Sequence, residues 1–204
     1  MQSTEKLSVV TTSDATIKKN LHSWFATATN EDVIAGGAWY ADAQEFCREL
    51  GSTYRVDPYI VASVLSALSP NNKWDRNKID TKNCIHAYKQ GKKADSVSVC
   101  TYNANKEKAF RILYEGKQIT AQSPKTHSFA MNCGYLSEDH ITIDKWHIRA
   151  CLCSPEDGIV PTVDSVTAKQ YRRLEALTVD CSAGMIGYRY QATIWVAIKS
   201  AWGR

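Results

Sequence analysis

The sequence predicts an all-α fold of about seven to nine helices, and three observations carry that expectation. Apolar residues recur at three- and four-residue spacings along most of the chain, and alternating apolar–polar segments are scarce. Asp-Pro, Ser-Pro and Gly stand where the periodic stretches start or stop.

In chain order, residues 1–20 are read as a flexible N-terminal segment. Residues 38–50 place Trp39, Ala43, Phe46, Cys47 and Leu50 on one helical face. Asp57 is an N-cap and Pro58 the first position of a strongly apolar helix through Ile60, Val61, Val64, Leu65 and Leu68. That helix stops near Ser69-Pro70, because proline disfavours helical backbone in the residue before it. A polar loop, Asn71, Asn72, Lys73 and Trp74, follows. Residues 75–90 form an amphipathic helix with Ile79, Cys84, Ile85 and Tyr88 inward, closed by Gly91. Residues 104–115 form another, with Ala109, Phe110, Ile112 and Leu113, closed by Gly116. Ser123-Pro124 opens a short helix to Gly134, and Asp144 caps one through about Cys153. After a Pro/Gly/Asp loop at 154–164, two helices cover about 165–180 and 186–202. The last turns Tyr188, Ala192, Trp195, Val196 and Ile198 inward. Without a repeat or linker, 1–204 reads as a single domain.

Composition narrows the classes. With 44% hydrophobic and 23% charged residues, a disordered or fibrous chain is excluded. No apolar run reaches the roughly 18 residues of a membrane span. The opening MQSTEKLSVVTTSD lacks a signal-peptide core, which leads us to expect a cytoplasmic protein. The seven cysteines are odd in number and scattered, so they are expected to be free thiols packed as small hydrophobes. A monomer is favoured.

The net charge of +4 is unevenly spread. Residues 71–127 hold twelve Lys or Arg against five Asp or Glu, and the remainder holds thirteen against sixteen. A basic middle interleaved with Trp74, Tyr88, Tyr102 and Tyr114 suits a phosphate backbone with stacking partners. It equally suits a set of solvated lysine-rich helix faces.

Two segments carry candidate chemistry: 123–132, SPKTHSFAMN, and 141–149, ITIDKWHIR. Lys125 stands in the first turn of its helix, where the macrodipole disfavours a cation, and that suits a nucleophilic amine. Asp144 begins the next helix, where a cap is worth about 1 kcal/mol. With no carboxylates paired at ligand spacing, a metal site is rejected, and no cofactor is implied.

Together these segments resemble the helix-hairpin-helix (HhH-GPD, endonuclease III-like) DNA glycosylase superfamily. Lys125-Thr126 through Asn132 resembles its lysine-bearing helix, and Asp144 with Arg149 resembles its aspartate segment. Val64-Leu65-Ser66-Ala67 is similar to the L-L-S-A of an early buried helix. The likeness covers about residues 60–150 and is nearest in character to a small, divergent branch met in phage genomes, where the compartment would be the host cytoplasm. It departs at 118–124, QITAQSP, which lacks the hairpin glycines, at Leu68, and at Lys145-Trp146.

The resemblance implies a duplex DNA partner and a flipped, modified base whose N-glycosidic bond is cleaved. It makes Asp144 and Lys125 catalytic, with Lys125 the amine of a Schiff-base lyase step. Asn71, Asn72, Lys73, Trp74, Arg76 and Arg149 would touch DNA, and Trp146, His147 and His127 would line the base pocket. Two alternatives stay open: a transferase that modifies bases in DNA on the same scaffold, and a DNA-binding module without catalysis.

Overall fold

A computed structural model describes residues 7–202. The first helix follows from a polar cap and a sparse apolar stripe. Ser13 Oγ accepts the Thr16 amide at the head of α1 (Asp14–Ala26), and Ile17, Leu21 and Trp24 are buried at i, i+4 and i+7. The expectation of a flexible segment is thereby corrected for residues 14–20, while residues 1–6 lie outside the described residues.

Thr29 and Asp32 cap each other across α2 (Asn30–Tyr54): the Thr29 amide donates to Asp32 Oδ2 at 3.0 Å and the Asp32 amide to Thr29 Oγ1 at 3.2 Å. The helix thus starts eight residues before the expected 38, through the Gly36-Gly37 pair that masks it in sequence. Asp57 Oδ1 accepts the Tyr59 amide at 2.8 Å and opens α3 (Pro58–Leu68) as predicted. Trp74 is the first residue of α4 (Trp74–Lys89) rather than part of the preceding loop. A short 3₁₀ turn at Ala94–Ser96 leads to α5 (Asn103–Glu115), which Gly116 closes at φ 64° as expected. Then come α6 (Pro124–Tyr135) and α7 (Lys145–Leu152), the latter capped by Asp144. After a 3₁₀ turn at Pro155–Asp157, α8 (Ala168–Cys181) opens on a Thr167–Gln170 capping box, and α9 (Gly187–Trp202) ends the described chain. The fold is all-α, with nine α-helices and no strand among the described residues. None of these helices is long and apolar enough to cross a membrane.

The described residues divide into two compact units, one drawn from Met1–Tyr40 and Glu138–Arg204, the other from Ala41–Ser137. The first has a core of Ile17, Leu21, Trp24, Ile141, Ile143, Ile148, Leu174 and Ile194 with their neighbours. Its α1 is tied to the end of α7: Asn20 Nδ2 donates to Cys151 O at 3.1 Å and Trp24 Nε1 to Cys153 O at 2.7 Å. On α9, Tyr188, Ala192 and Ile198 are buried as expected, while Trp195 and Val196 are only half-buried. Gly36 lies against the α9 backbone, where an added Cβ would stand 2.4 Å from Thr193 Cα. Backbone cannot yield as a side-chain tip can, so Gly36→Ala is expected to cost about 3 kcal/mol, read as a lowered thermal midpoint.

The second unit is organised around α3, whose residues 61–68 are all buried and which packs against α4, α5 and α6. On α4, Cys84 and Ile85 are buried as expected and Tyr88 is half-buried, but Ile79 is 49% exposed; Asn77, Asp80, Thr81 and Ala87 complete the buried stripe. Gly134 does not end α6: it stays inside the helix beside Tyr59, and Leu136 takes the left-handed cap at φ 51°.

Six of the seven cysteines are buried free thiols, and Cys100 is exposed. Burial pushes Cys47, Cys84 and Cys153 up to about 12, which suits packing and not nucleophilic chemistry.

Candidate active site

In the first unit, the approach to α7 is fixed from α8. Tyr171 Oη accepts the Ile143 amide at 3.0 Å and donates to Ile141 O at 2.7 Å, and Glu175 Oε1 accepts the Ile141 amide at 3.2 Å. The apolar pair Ile141 and Ile143 is buried, so the extended segment delivers Asp144 to the helix start in one orientation. Asp144 Oδ1 accepts the His147 amide at 2.9 Å, which is ordinary capping. Its Oδ2 does something a cap does not require: it accepts Trp195 Nε1 from α9 at 3.1 Å. Trp195 in turn packs on Trp39 of α2 with ring centroids 5.7 Å apart. The carboxylate is half-buried and oriented by two N–H donors at a helix N-terminus.

Trp146 follows one residue beyond Lys145, and its ring meets three cations. Lys145 Nζ lies 5.5 Å, the Arg149 guanidinium 4.9 Å and Lys199 Nζ 4.8 Å from its centroid. Arg149 also pairs with Asp164, with its side chain 14% exposed.

His147 is corrected as a base-pocket residue: its ring is fully buried and held at 2.9 Å by Thr178 Oγ1. The Thr178 hydroxyl spends its one proton on Leu174 O at 2.7 Å, so His147 Nε2 must be the donor between them. The ring is therefore a neutral structural imidazole with no edge turned to solvent. Burial pushes it down from 6.5 to about 3. Between those values the unfolded chain binds a proton that the folded chain refuses, so this group's contribution to stability rises with pH. As pH falls from 7 to 5, the wild type is expected to lose about 2 kcal/mol through this residue alone. Urea titrations at the two pH values check it: His147→Asn should show a correspondingly smaller loss.

In the second unit, Lys125 follows Pro124 in the first turn of α6 and is half-buried, as is His127. Ser66 Oγ of α3 donates to Thr126 O at 2.6 Å, which pins this turn to the central helix. The loop 69–73 is held by a carboxylate that sequence reasoning missed. Asp80, with its side chain fully buried, accepts Asn72 Nδ2 at 3.0 Å, Arg76 Nε at 2.8 Å and the Cys100 amide at 2.8 Å. Asn72 and Arg76 are thus both engaged by Asp80, Arg76 with 42% of its side chain exposed. Asn71 and Lys73 are exposed: Asn71, at φ 54°, donates to the Tyr102 hydroxyl at 2.8 Å, and Lys73 precedes α4. Trp74 is half-buried with Lys78 Nζ 5.4 Å from its ring.

Asp144, Trp146, His147 and Arg149 therefore belong to one unit, and Lys125, His127 and residues 71–76 to the other. Trp39, Trp195 and Lys199 are the site residues the sequence reading did not pick out, since their partners lie far away in the chain. Among the described residues no three of His, Cys, Asp and Glu gather as metal ligands do.

The sequence model of a protein family, described as "Family of unknown function (DUF7178)", matches residues 3–202. No curated protein and no solved structure matches the chain.

Proposed function

The chain belongs to that family of unknown function, and from the resemblance of residues 60–150 to the helix-hairpin-helix DNA glycosylases we propose that it is a DNA glycosylase-like enzyme that flips a modified base from the duplex and breaks its N-glycosidic bond. The observation that supports this most is the second oxygen of Asp144, held by the Trp195 indole beyond anything capping requires. A carboxylate so oriented suits stabilisation of the positive charge that grows on the sugar as the base departs with the bonding electron pair. It equally suits orientation of the water that then adds to C1′. The basic stretch 71–127 supplies charge for phosphate contacts.

The lyase step rests on the sequence resemblance. In it the neutral Lys125 amine adds to C1′ as the base leaves, loses its extra proton and, after ring opening, forms a Schiff base. No oxidant or metal enters that balance.

Duplexes carrying a panel of modified bases, incubated with the full chain and analysed by mass spectrometry, test the reading. A released free base is the expected result. DNA that gains mass would make the chain a transferase, and unchanged DNA that is nonetheless bound would make it a binding module. Borohydride on the reaction should trap an adduct in the wild type and none in Lys125→Ala.

A further inference from the structure

The three cations around Trp146 carry an inference that rests on the DNA-directed reading and joins Lys145 and Lys199 to Arg149, the one of them already assigned to DNA contact. Lys145 and Arg149 come from α7 and Lys199 from α9, so two helices bring like charges to one indole. Lys199 also lies 6.0 Å from the Trp195 ring. Among the described residues neither Lys145 nor Lys199 meets a carboxylate at ion-pair distance; Arg149 alone does, through Asp164. The Arg149 Nε is buried without an acceptor. An indole face offsets the mutual repulsion of such charges in part, and an anion would complete the offset.

We propose that Lys145, Arg149 and Lys199, arrayed on Trp146, form a phosphate-binding contact for a DNA strand. Position argues for a strand. Lys145 directly follows Asp144, and Lys199 stands one helical turn beyond Trp195, the residue that holds the Asp144 carboxylate. The cations therefore lie beside the group assigned to the sugar, where the backbone of the same strand must pass. Trp146 acts as the platform that spaces the charges; its ring meets cations where the sequence reading set a flipped base. The contact would hold the strand without reading its sequence.

Fluorescence anisotropy of an unmodified duplex, titrated with the full chain over a series of salt concentrations, tests this. Counterion release gives a log–log slope of about 0.9 per phosphate neutralised, so Lys145→Gln/Lys199→Gln should flatten the wild-type slope by about two. At low salt its Kd should rise about tenfold or more. Lys145→Arg/Lys199→Arg keeps both charges and should keep the wild-type slope. A glutamine variant with wild-type slope and Kd overturns the proposal. So does a wild type that binds heparin or acidic vesicles but not the duplex. The two readings fail separately: Asp144-dependent base release with an unaltered glutamine variant sinks only the phosphate contact. A lost slope with no base released from any duplex sinks only the glycosylase reading.

Discussion

Under the proposed glycosylase reading, Asp144→Asn is expected to slow base release sharply while the protein stays folded. Asparagine caps a helix as well as aspartate does, so the His147 amide keeps its acceptor. What is lost is the negative charge and the acceptor for Trp195 Nε1, the latter worth about 1 kcal/mol of stability. Losing a preorganised charge at the reacting centre lowers the chemical step by about 10²–10³-fold. Single-turnover release on the best duplex, read beside the thermal midpoint, separates the two effects. Full release by Asp144→Asn would leave Asp144 as a cap and nothing more. Trp195→Phe preserves most of the ring packing but removes the indole N–H. It should lower kcat about tenfold with KM little changed, the mark of a residue that positions the carboxylate and does not touch the substrate.

A stability loss as large as that of Gly36→Ala is expected from Asp80→Ala. The Asp80 carboxylate is buried and serves an amide side chain, a guanidinium and a backbone N–H from three places in the second unit. Removing it leaves the Cys100 amide and Asn72 Nδ2 short of an acceptor. The Arg76 side chain, 42% exposed, can turn back to water, which puts the cost near the low end for a broken buried pair, about 3 kcal/mol. Urea unfolding should show this as a lowered midpoint. Arg76→Gln leaves the other two bonds in place but deprives the buried carboxylate of its cation, and should also cost about 3 kcal/mol.

The sequence announces those elements whose cause is local. Asp57-Pro58, Gly116 and Asp144 each act within one turn, and each stands where expected. The first helix escaped because only Ile17, Leu21 and Trp24 anchor it among lysines, asparagine and serine. On α4 the apolar rule found Cys84 and Ile85 but missed the polar half of the buried stripe, Asn77, Asp80 and Thr81; Asp80 takes the amide of Cys100, twenty residues later. The candidate site shows the same division. Asp144 as a cap is legible from its neighbours, whereas its indole partner lies fifty-one residues on and reads locally as one more core tryptophan. His147 illustrates the converse, since a histidine beside a candidate aspartate invites a chemical role that its burial against Thr178 denies.

One unit is built from both ends of the chain, and the other is the uninterrupted stretch Ala41–Ser137. That arrangement sets an order for a chain that leaves the ribosome amino end first. The apolar stripe of α1 must wait for α7, α8 and α9, its packing partners, until the whole intervening segment has been made. At roughly 5–20 residues per second the delay is on the order of 5–20 s. During it Ile17, Leu21 and Trp24 are sticky surface, while the middle segment already holds all the helices that pack around α3. Nascent-chain arrest before α7 should therefore give a folded middle and a protease-sensitive, chaperone-binding amino end.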